Sequence, residues 1–590
     1  MDSSAQDVSK LVDKLGSGRR APKNATGKPM VFLLTKGNEV AAVDLTARKV
    51  IWKKEAQPLL SRIVVGRTNV YYVTKDNVLR ARAVTSGRKA WSKKLALGKG
   101  QQVYGLAADG DRLYLVIGQT TTGAGGRWSS TIQSIDGQSG DVRWTRKAPG
   151  RLGAPAARSG YVFVPFRQQY VSVLDAKEGE EVVRIRARGE YVSFVRATPE
   201  GVFFGNKDGI FRLNAKAASG KKEKADYLSV KLGDSAGEKE SGGGASTGLR
   251  VAYYWDGYEP VMIGYTAYDR NRLLWRAGSG EKFANSTAVV EYFRYFFGFD
   301  TTEGELKWVH IYKGDDVRSA AHIGESLLYV SEAGKMVALS AQNGDRLWRY
   351  DSGLAVQGAT FDAEGFEAEG ERVEATPLVK GLKEIIFDPD RRLAVAKLFA
   401  ITQLKEMKGR RVSSILLGLI SNRKIPLKLR LRAEKVLVDR SSPDSIPLFM
   451  KVLDRRYSYI TGQRTRAVGP VALALATMKV KKAVPKLAEH LSSPHISVAT
   501  LHQVVDAMAE IGGQEVLKPF RQFLLDYRAE PEFKRHIQVL TKVASTLLEQ
   551  GGVAERQLLA FVAEDAHSLA PLKEFVKRRL TGKEEKPKAR

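Results

Sequence analysis

The amino-acid sequence predicts a multidomain β-plus-α protein, a β-propeller of about eight blades followed by an α-helical solenoid. Three observations carry that prediction. A strand unit closing on Trp recurs at intervals near 40 residues through the first 361 positions. Beyond about residue 389 the apolar spacing changes from that of strands to that of helices. Helix pairs then recur in turn: Phe449 and Leu453 precede Leu487 and Leu491 by 38 residues, and these precede Phe520 and Leu524 by 33. At 590 residues the chain exceeds one hydrophobic core, so several domains or a repeat array are required.

The strand unit is two β-rich runs, a turn containing a small residue or Asp and then Gly, and a strand carrying Trp. The first copy has VFLL, VAAVD (40–44) and KVIW (49–52). The second has VYYV (70–73), VLRARAV (78–84), Gly87 and Trp91, and the third RLYLVI (112–117), IQSID (132–136), Gly140 and VRW (142–144). A fourth, YVFVPF (161–166) to VVRI (182–185), has an aliphatic residue in the Trp place, and a fifth begins at VFFG (202–205). Later copies end at Trp275, Trp308 and Trp348, and the closing Trp residues of consecutive copies lie 39, 53, 33 and 40 positions apart. Alternating residues such as Val70 and Tyr72 suit a strand that sends one set of side chains between blades. The turn supplies a side-chain acceptor and a residue tolerant of positive φ, and Trp anchors each blade on its neighbour. A strand near 354–361 is expected to pair with the first blade, closing the ring and removing exposed edges.

These patterns divide the chain into a flexible leader (1–28), a propeller (29–362) with insertions at 118–128 and 216–248, an acidic linker (363–388), a solenoid (389–580) and a charged tail (581–590). Pro426, Pro443, Pro447, Pro485, Pro494, Pro519 and Pro531 are expected to punctuate helices.

The absence of cysteine excludes disulfides, thiol nucleophiles, Cys-ligated zinc and iron–sulfur centres within the chain. Lys and Arg number 95 against 65 Asp and Glu, a net charge of +30 that attracts nucleic acid, anionic lipid, acidic polysaccharide or acidic protein. No apolar run approaches the roughly 20 residues needed to span a bilayer. The opening MDSSAQDVSK has no signal-peptide pattern, although removal of an upstream lipoprotein signal would leave a polar opening like it.

The units ending at Trp52, Trp91, Trp144, Trp275, Trp308 and Trp348, with the pattern Asp/Ala-x-x-x-Gly-x-x-x-Trp complete at Trp91, Trp144 and Trp308, resemble the PQQ-like (quinoprotein-dehydrogenase-like, BamB-like) propeller family. The resemblance covers about 30–361 and implies a propeller shared by enzymes and non-catalytic scaffolds. Enzymes of that family hold PQQ and a metal with a vicinal disulfide and acidic ligands. A cysteine-free chain cannot form that disulfide, so the resemblance favours the non-enzymatic branch. Residues 390–579 are similar to HEAT repeats, which implies protein binding or scaffolding.

Two sets of residues are candidate sites. The aromatic runs 253–258 and 291–299 supply a candidate protein interface: Tyr253, Tyr254, Trp255, Tyr258, Tyr292, Phe293, Tyr295 and Phe296. Blade packing is the competing use. A candidate anionic-partner surface comprises Lys408, Arg410, Arg411, Lys428, Arg430, Arg432, Lys479, Lys481 and Lys482. A plain solvated face is the competing use for each group. His490, His495 and His502 lack a diagnostic metal-ligand spacing, and no catalytic residue, metal or cofactor is expected. The expected function is a non-catalytic protein-binding scaffold, an accessory or anchoring component of a bacterial cell-envelope complex. Its expected place is the periplasm, with outer-membrane anchoring as a lipoprotein if an upstream signal has been removed. Expected partners are proteins of a larger complex, with an anionic membrane surface or cell-wall polymer in addition. A cytoplasmic scaffold on nucleic acid or another polyanion is the alternative, followed by a divergent propeller enzyme.

Overall fold

Short runs rich in Val, Tyr, Phe and Leu, most of them stopped by a two- to five-residue turn, build antiparallel sheets in the first part of the chain. The structure, a computed structural model, describes residues 22–119, 129–167, 170–186, 192, 194–198, 201–206, 209–213, 228–231, 248–251, 258–262, 271–275, 287–300, 305–323, 325–454, 467–493 and 495–581. It divides into two compact units, 1–381 with 390–396, and 382–389 with 397–590.

In the first unit the described residues form seven four-stranded sheets and one two-stranded ribbon, Leu228–Lys231 with Gly248–Val251. The first sheet is built from both ends of the propeller. Strand Val356–Asp362 pairs with Met30–Thr35, which pairs with Glu39–Asp44 and then Lys49–Glu55. The remaining six sheets follow in chain order, each running from its innermost to its outermost strand.

The expectation of about eight blades is corrected to these seven four-stranded sheets among the described residues, and Trp275 explains the difference. Trp275 matches the blade-closing residue by type, but it ends strand Asn271–Trp275, which opens the sixth sheet. The outer strand of the fifth sheet is Tyr258–Met262, which carries no Trp.

Period-two alternation is used on both faces of each blade. Val70 and Tyr72 pack with Phe32 and Trp52 of the first sheet, whereas Tyr71 and Val73 pack with Leu113 and Leu115 of the third. Residues of the third and fourth sheets (Tyr114, Val162), the fourth and fifth (Phe163, Phe204), the sixth and seventh (Phe296, Tyr329) and the seventh and first (Leu328, Val31) form the successive cores in the same way. Because blades stand between two neighbours, all four residues 70–73 are fully buried and hydropathy alone shows no polar face there.

The outer-strand Trp residues lock consecutive blades. Trp52 Nε1 donates to the Val84 carbonyl at 2.6 Å, Trp91 to Gly137 at 3.0 Å, Trp144 to Ala176 at 3.1 Å and Trp308 to Ala341 at 3.0 Å. Each acceptor belongs to the turn before the outer strand of the following blade. The glycine of that turn lies under the indole with positive φ, as at Gly344 (φ 76°), where an added Cβ would sit 2.6 Å from Trp308 Cε3. Gly87, Gly140 and Gly179 occupy the same place beneath Trp52, Trp91 and Trp144. The residue type follows from space and backbone conformation together.

His310 lies in the outer strand Leu306–Ile311 of the sixth sheet, its Nε2 3.1 Å from the Tyr329 hydroxyl. Burial pushes its pKa down to about 4, from an ordinary 6.5. The unfolded chain therefore takes up a proton that the folded one excludes. Stability contributed by neutral His310 is complete above pH 6.5 and is lost as pH falls toward 4, for a total of about 3 kcal/mol. Chemical denaturation between pH 7 and 4 should show this slope in the parent chain, and His310→Gln should flatten it.

The segment 363–377, expected as a linker, packs on the propeller. Ala363 and Phe366 are buried in the core between the seventh and first sheets, and Phe366 meets Trp348 edge-on at 5.5 Å. Val373 and Arg346 exchange backbone hydrogen bonds of 2.9 and 2.8 Å, while Asp345 accepts from Arg372 Nε and the Ala375 amide, both at 2.8 Å. Part of the expected flexible leader is likewise fixed. The amides of Lys23 and Asn24 donate to Asp362 at 2.7 and 2.9 Å, and Asn24 Nδ2 adds a third bond at 2.7 Å.

Twelve α-helices follow among the described residues: α1 (Leu378–Phe387), α2 (Ala394–Gln403), α3 (Arg410–Ser421), α4 (Leu427–Arg440), α5 (Ile446–Leu453), α6 (Val468–Thr477), α7 (Val484–Leu491), α8 (Val498–Ile511), α9 (Gln514–Tyr527), α10 (Ile537–Gln550), α11 (Val553–Glu564) and α12 (Ala570–Leu580). Chain neighbours α3 and α4, α5 and α6, α7 and α8, α9 and α10, and α11 and α12 pack together. Every second helix also touches the next in the series α4, α6, α8, α10, α12. Ser497 caps α8 by accepting from the Thr500 amide, and prolines occupy the first turns of α5, α7 and α12. Pro519 departs from the expected punctuation and lies inside α9, while Pro494 is outside the described residues.

Candidate interaction surfaces

The aromatic run 291–299 forms a hairpin in the sixth sheet, strand Thr287–Tyr292 turning at Phe293 and Arg294 into Tyr295–Asp300. Tyr292, Tyr295 and Phe296 are buried, Phe296 stacking on Tyr329 at 4.9 Å. The candidate interface is corrected at these three positions: burial removes them from the surface, Phe296 in the core between the sixth and seventh sheets. Phe293, at positive φ (56°), is half-buried beneath the Arg392 guanidinium, 5.0 Å from its ring. Arg392 is held by both oxygens of Asp316 (2.9 and 3.1 Å) and by Asp390 (2.7 Å), and the Tyr292 hydroxyl donates to its carbonyl. Hydrogen bonds from Arg392 hold both carboxyls below the usual carboxylate range. This hairpin thus receives the chain's own segment 390–396. Tyr253, Tyr254 and Trp255 lie outside the described residues, and Tyr258 is placed only by its backbone, as the first residue of strand Tyr258–Met262.

Most of the basic set does face solvent. Lys408, Arg410, Arg411, Lys428, Lys479, Lys481 and Lys482 are exposed. Arg430 is half-buried, donating to the Ile425 carbonyl at 3.1 Å, and Arg432 is buried, so the expected surface is corrected by removing Arg432. Arg432 points inward because it shares the buried side of α4 with Leu429, Ala433 and Val436.

The exposed residues do not form one ridge. Arg440, at the end of α4, reaches back to the start of α3, donating to the Met407 and Gly409 carbonyls at 3.0 Å and to Ser413 Oγ at 2.6 Å. Lys408, Arg410 and Arg411 therefore lie at one end of the α3–α4 hairpin and Lys428, at the start of α4, at the other. Lys479, Lys481 and Lys482 occupy the connection from α6 to α7, where Lys479 pairs with Glu510 at 2.9 Å. Sequence spacing could identify the helices but not this end-to-end separation. Arg440→Ala should destabilise the helical unit by about 2–3 kcal/mol, because two carbonyls and a buried serine lose a charged donor. Urea titration of the full chain, followed by helix ellipticity, measures it.

A second feature was not singled out in the sequence. Asp109, Arg158 and Asp362 end three innermost strands, Gln101–Asp109, Ala156–Arg158 and Val356–Asp362, and so lie at one mouth of the ring. Arg158 pairs with Glu364 at 3.2 Å between the fourth and first sheets, and Lys23 Nζ reaches the Ala108 carbonyl at 3.5 Å. Burial raises the Glu364 pKa despite the opposing Arg158 charge. The chain's own ionic groups thus pair with one another at this mouth. The only sequence signal was the polar leader, which gave no indication of its acceptor.

Among the described residues no helix is long and apolar enough to cross a membrane, and no cluster of three or more His, Cys, Asp or Glu could hold a metal ion. His490 Nε2 is 2.8 Å from the Leu453 carbonyl, and His502 packs edge-on against His536.

The chain is 13% identical to BamB from Moraxella catarrhalis, with 58% of this chain and 92% of that chain covered and a TM-score of 0.32. It is 12% identical to a quinohemoprotein alcohol dehydrogenase from Comamonas testosteroni (58% and 69% covered, TM-score 0.34) and to apo AztD from Citrobacter koseri (58% and 99%, TM-score 0.31). At these TM-scores none of the three bears on the chemistry of this chain. Against the curated proteins the sequence has no match. The family model described as outer membrane protein assembly factor BamB matches residues 3–145 and 234–393, just over half of the chain, and the chain belongs to that family.

Proposed function

We propose that the chain is a non-catalytic protein-binding scaffold, an accessory or anchoring component of a bacterial cell-envelope complex. Membership in a family described as an outer membrane assembly factor is the observation that carries this reading. The neighbour and second-neighbour packing of α3 to α12 supports reading the helical unit as a HEAT-like stacked solenoid, a form that offers extended surfaces to partners. On this reading the protein works in the periplasm and its partners are proteins. The exposed basic ends of the helical unit contact acidic groups on those partners or an anionic membrane surface.

Co-purification from solubilised membranes tests the proposal. The parent chain should retain envelope proteins, and charge reversal at Lys408, Arg411 and Lys428 should weaken that retention while leaving the fold intact. Equal retention by parent and variant would remove the basic ends from the account. A complete lack of envelope partners would remove the account itself.

Association with nucleic acid is a second reading, favoured by the seven exposed basic residues named above. It requires affinity for DNA or RNA that falls steeply with salt and survives competition from other polyanions.

A further inference from the structure

The seam where the ring closes differs from the other Trp-locked seams. Beneath Trp52, Trp91, Trp144 and Trp308 lies a glycine at positive φ, but the corresponding turn of the first sheet places Arg48 beside Trp348. Arg48 keeps the positive φ (50°) that glycine adopts without cost, and its guanidinium lies 5.7 Å from the Trp348 ring centroid. A retained backbone cost for a non-glycine residue points to what its side chain does.

That side chain lines a cavity of about 210 Å³, together with Arg346, Trp348, Arg349, Gly370 and Glu371. Arg48 is oriented by its 2.8 Å bond to the Glu369 carbonyl, and Arg346 is fixed by its backbone bridge to Val373. Neither Arg346 nor Arg349 has an ion-pair partner among the described residues, whereas nearby Arg372 is taken by Asp345. Three guanidiniums thus face one carboxylate, Glu371.

We propose that this cavity binds a phosphate group carried on a small molecule or a lipid headgroup. The excess of two positive charges matches a phosphate monoester near neutral pH. Guanidinium forks suit tetrahedral oxyanions geometrically, and the aromatic wall lowers the local dielectric. The volume equals about seven waters at ~30 Å³ each, room for the phosphate and part of what carries it.

Inorganic phosphate is the first probe, added to the full chain and followed by calorimetric titration and by the thermal midpoint. Saturable binding at millimolar phosphate is expected, with Arg48→Gly and Arg349→Gln each weakening it by about tenfold and Glu371→Gln strengthening it. Arg48→Gly restores the residue of the other turns, so its thermal midpoint without phosphate should hold or rise. Arg349→Gln, on an exposed position, provides an independent variant. Vesicles of phosphatidylcholine with phosphatidic acid identify the source: sedimentation lost in the double variant Arg48→Gly with Arg349→Gln assigns a headgroup, and phosphate binding without sedimentation assigns a soluble ester. Equal phosphate affinity in the parent and double variant would overturn the proposal, as would the absence of saturable binding or capture only of an acidic peptide.

Discussion

Trp308→Ala should lower the stability of the propeller by about 3–5 kcal/mol, the range for removing a large buried aromatic side chain. Trp308 is 3% exposed, packs in the core between the sixth and seventh sheets, and donates to the Ala341 carbonyl. The substitution opens a cavity between blades and removes the hydrogen bond to the following turn. Gly344→Ala tests the same lock from its other side. Alone it should cost about 2–3 kcal/mol, combining a left-handed alanine with overlap against the indole. In the Trp308→Ala background the overlap disappears and only about 1 kcal/mol from the backbone should remain. Denaturant titration of both single variants and the double variant gives the coupling directly. Additive costs would mean that the indole and this turn are energetically independent.

Asp362→Ala should cost about 3 kcal/mol and release the segment before Met30. The carboxylate is 4% exposed and accepts from two backbone amides and the Asn24 side chain. Removing it strands three donors at the mouth of the ring, which can regain partners only if residues 22–28 leave for water. The ladder between Val356–Asp362 and Met30–Thr35 remains. Limited trypsin digestion should therefore cut at Lys23 and Lys28 well before the propeller unfolds, with no equivalent early cleavage in the parent chain.

Much of this architecture was legible because the signals are local. A strand needs period-two alternation, the turn needs a residue at positive φ, and the locking Trp recurs at blade spacing. Ring closure by residues near 354–361 followed from the same pattern and is realised in the pairing of Phe361 with Val31. Trp275 misled because its residue type matches the blade anchor, whereas its role depends on the sheet position of the strand. Strand order is a long-range property that spacing does not encode.

The candidate sites were less legible. Tyr292, Tyr295 and Phe296 look like an exposed aromatic rim only when the covering blade is unknown. Arg432 looks like its basic neighbours until α4 is seen to bury the side carrying Leu429 and Val436. Arg158 meets Glu364 across 206 positions of sequence and Asn24 meets Asp362 across 338, so no local pattern could announce either contact. Arg48 was readable in principle as the departure from glycine in an otherwise regular turn. Its consequence required Trp348 and the returning segment at Gly370 and Glu371 to be brought beside it.

In-cell crosslinking of the full-length native gene product, followed by mass spectrometry of membrane and soluble fractions, tests the scaffold account most directly. The account predicts recovery with envelope proteins, with crosslinks through the exposed lysines Lys408, Lys428, Lys481 and Lys482. Recovery in the soluble fraction with nucleoid or ribosomal components would contradict it.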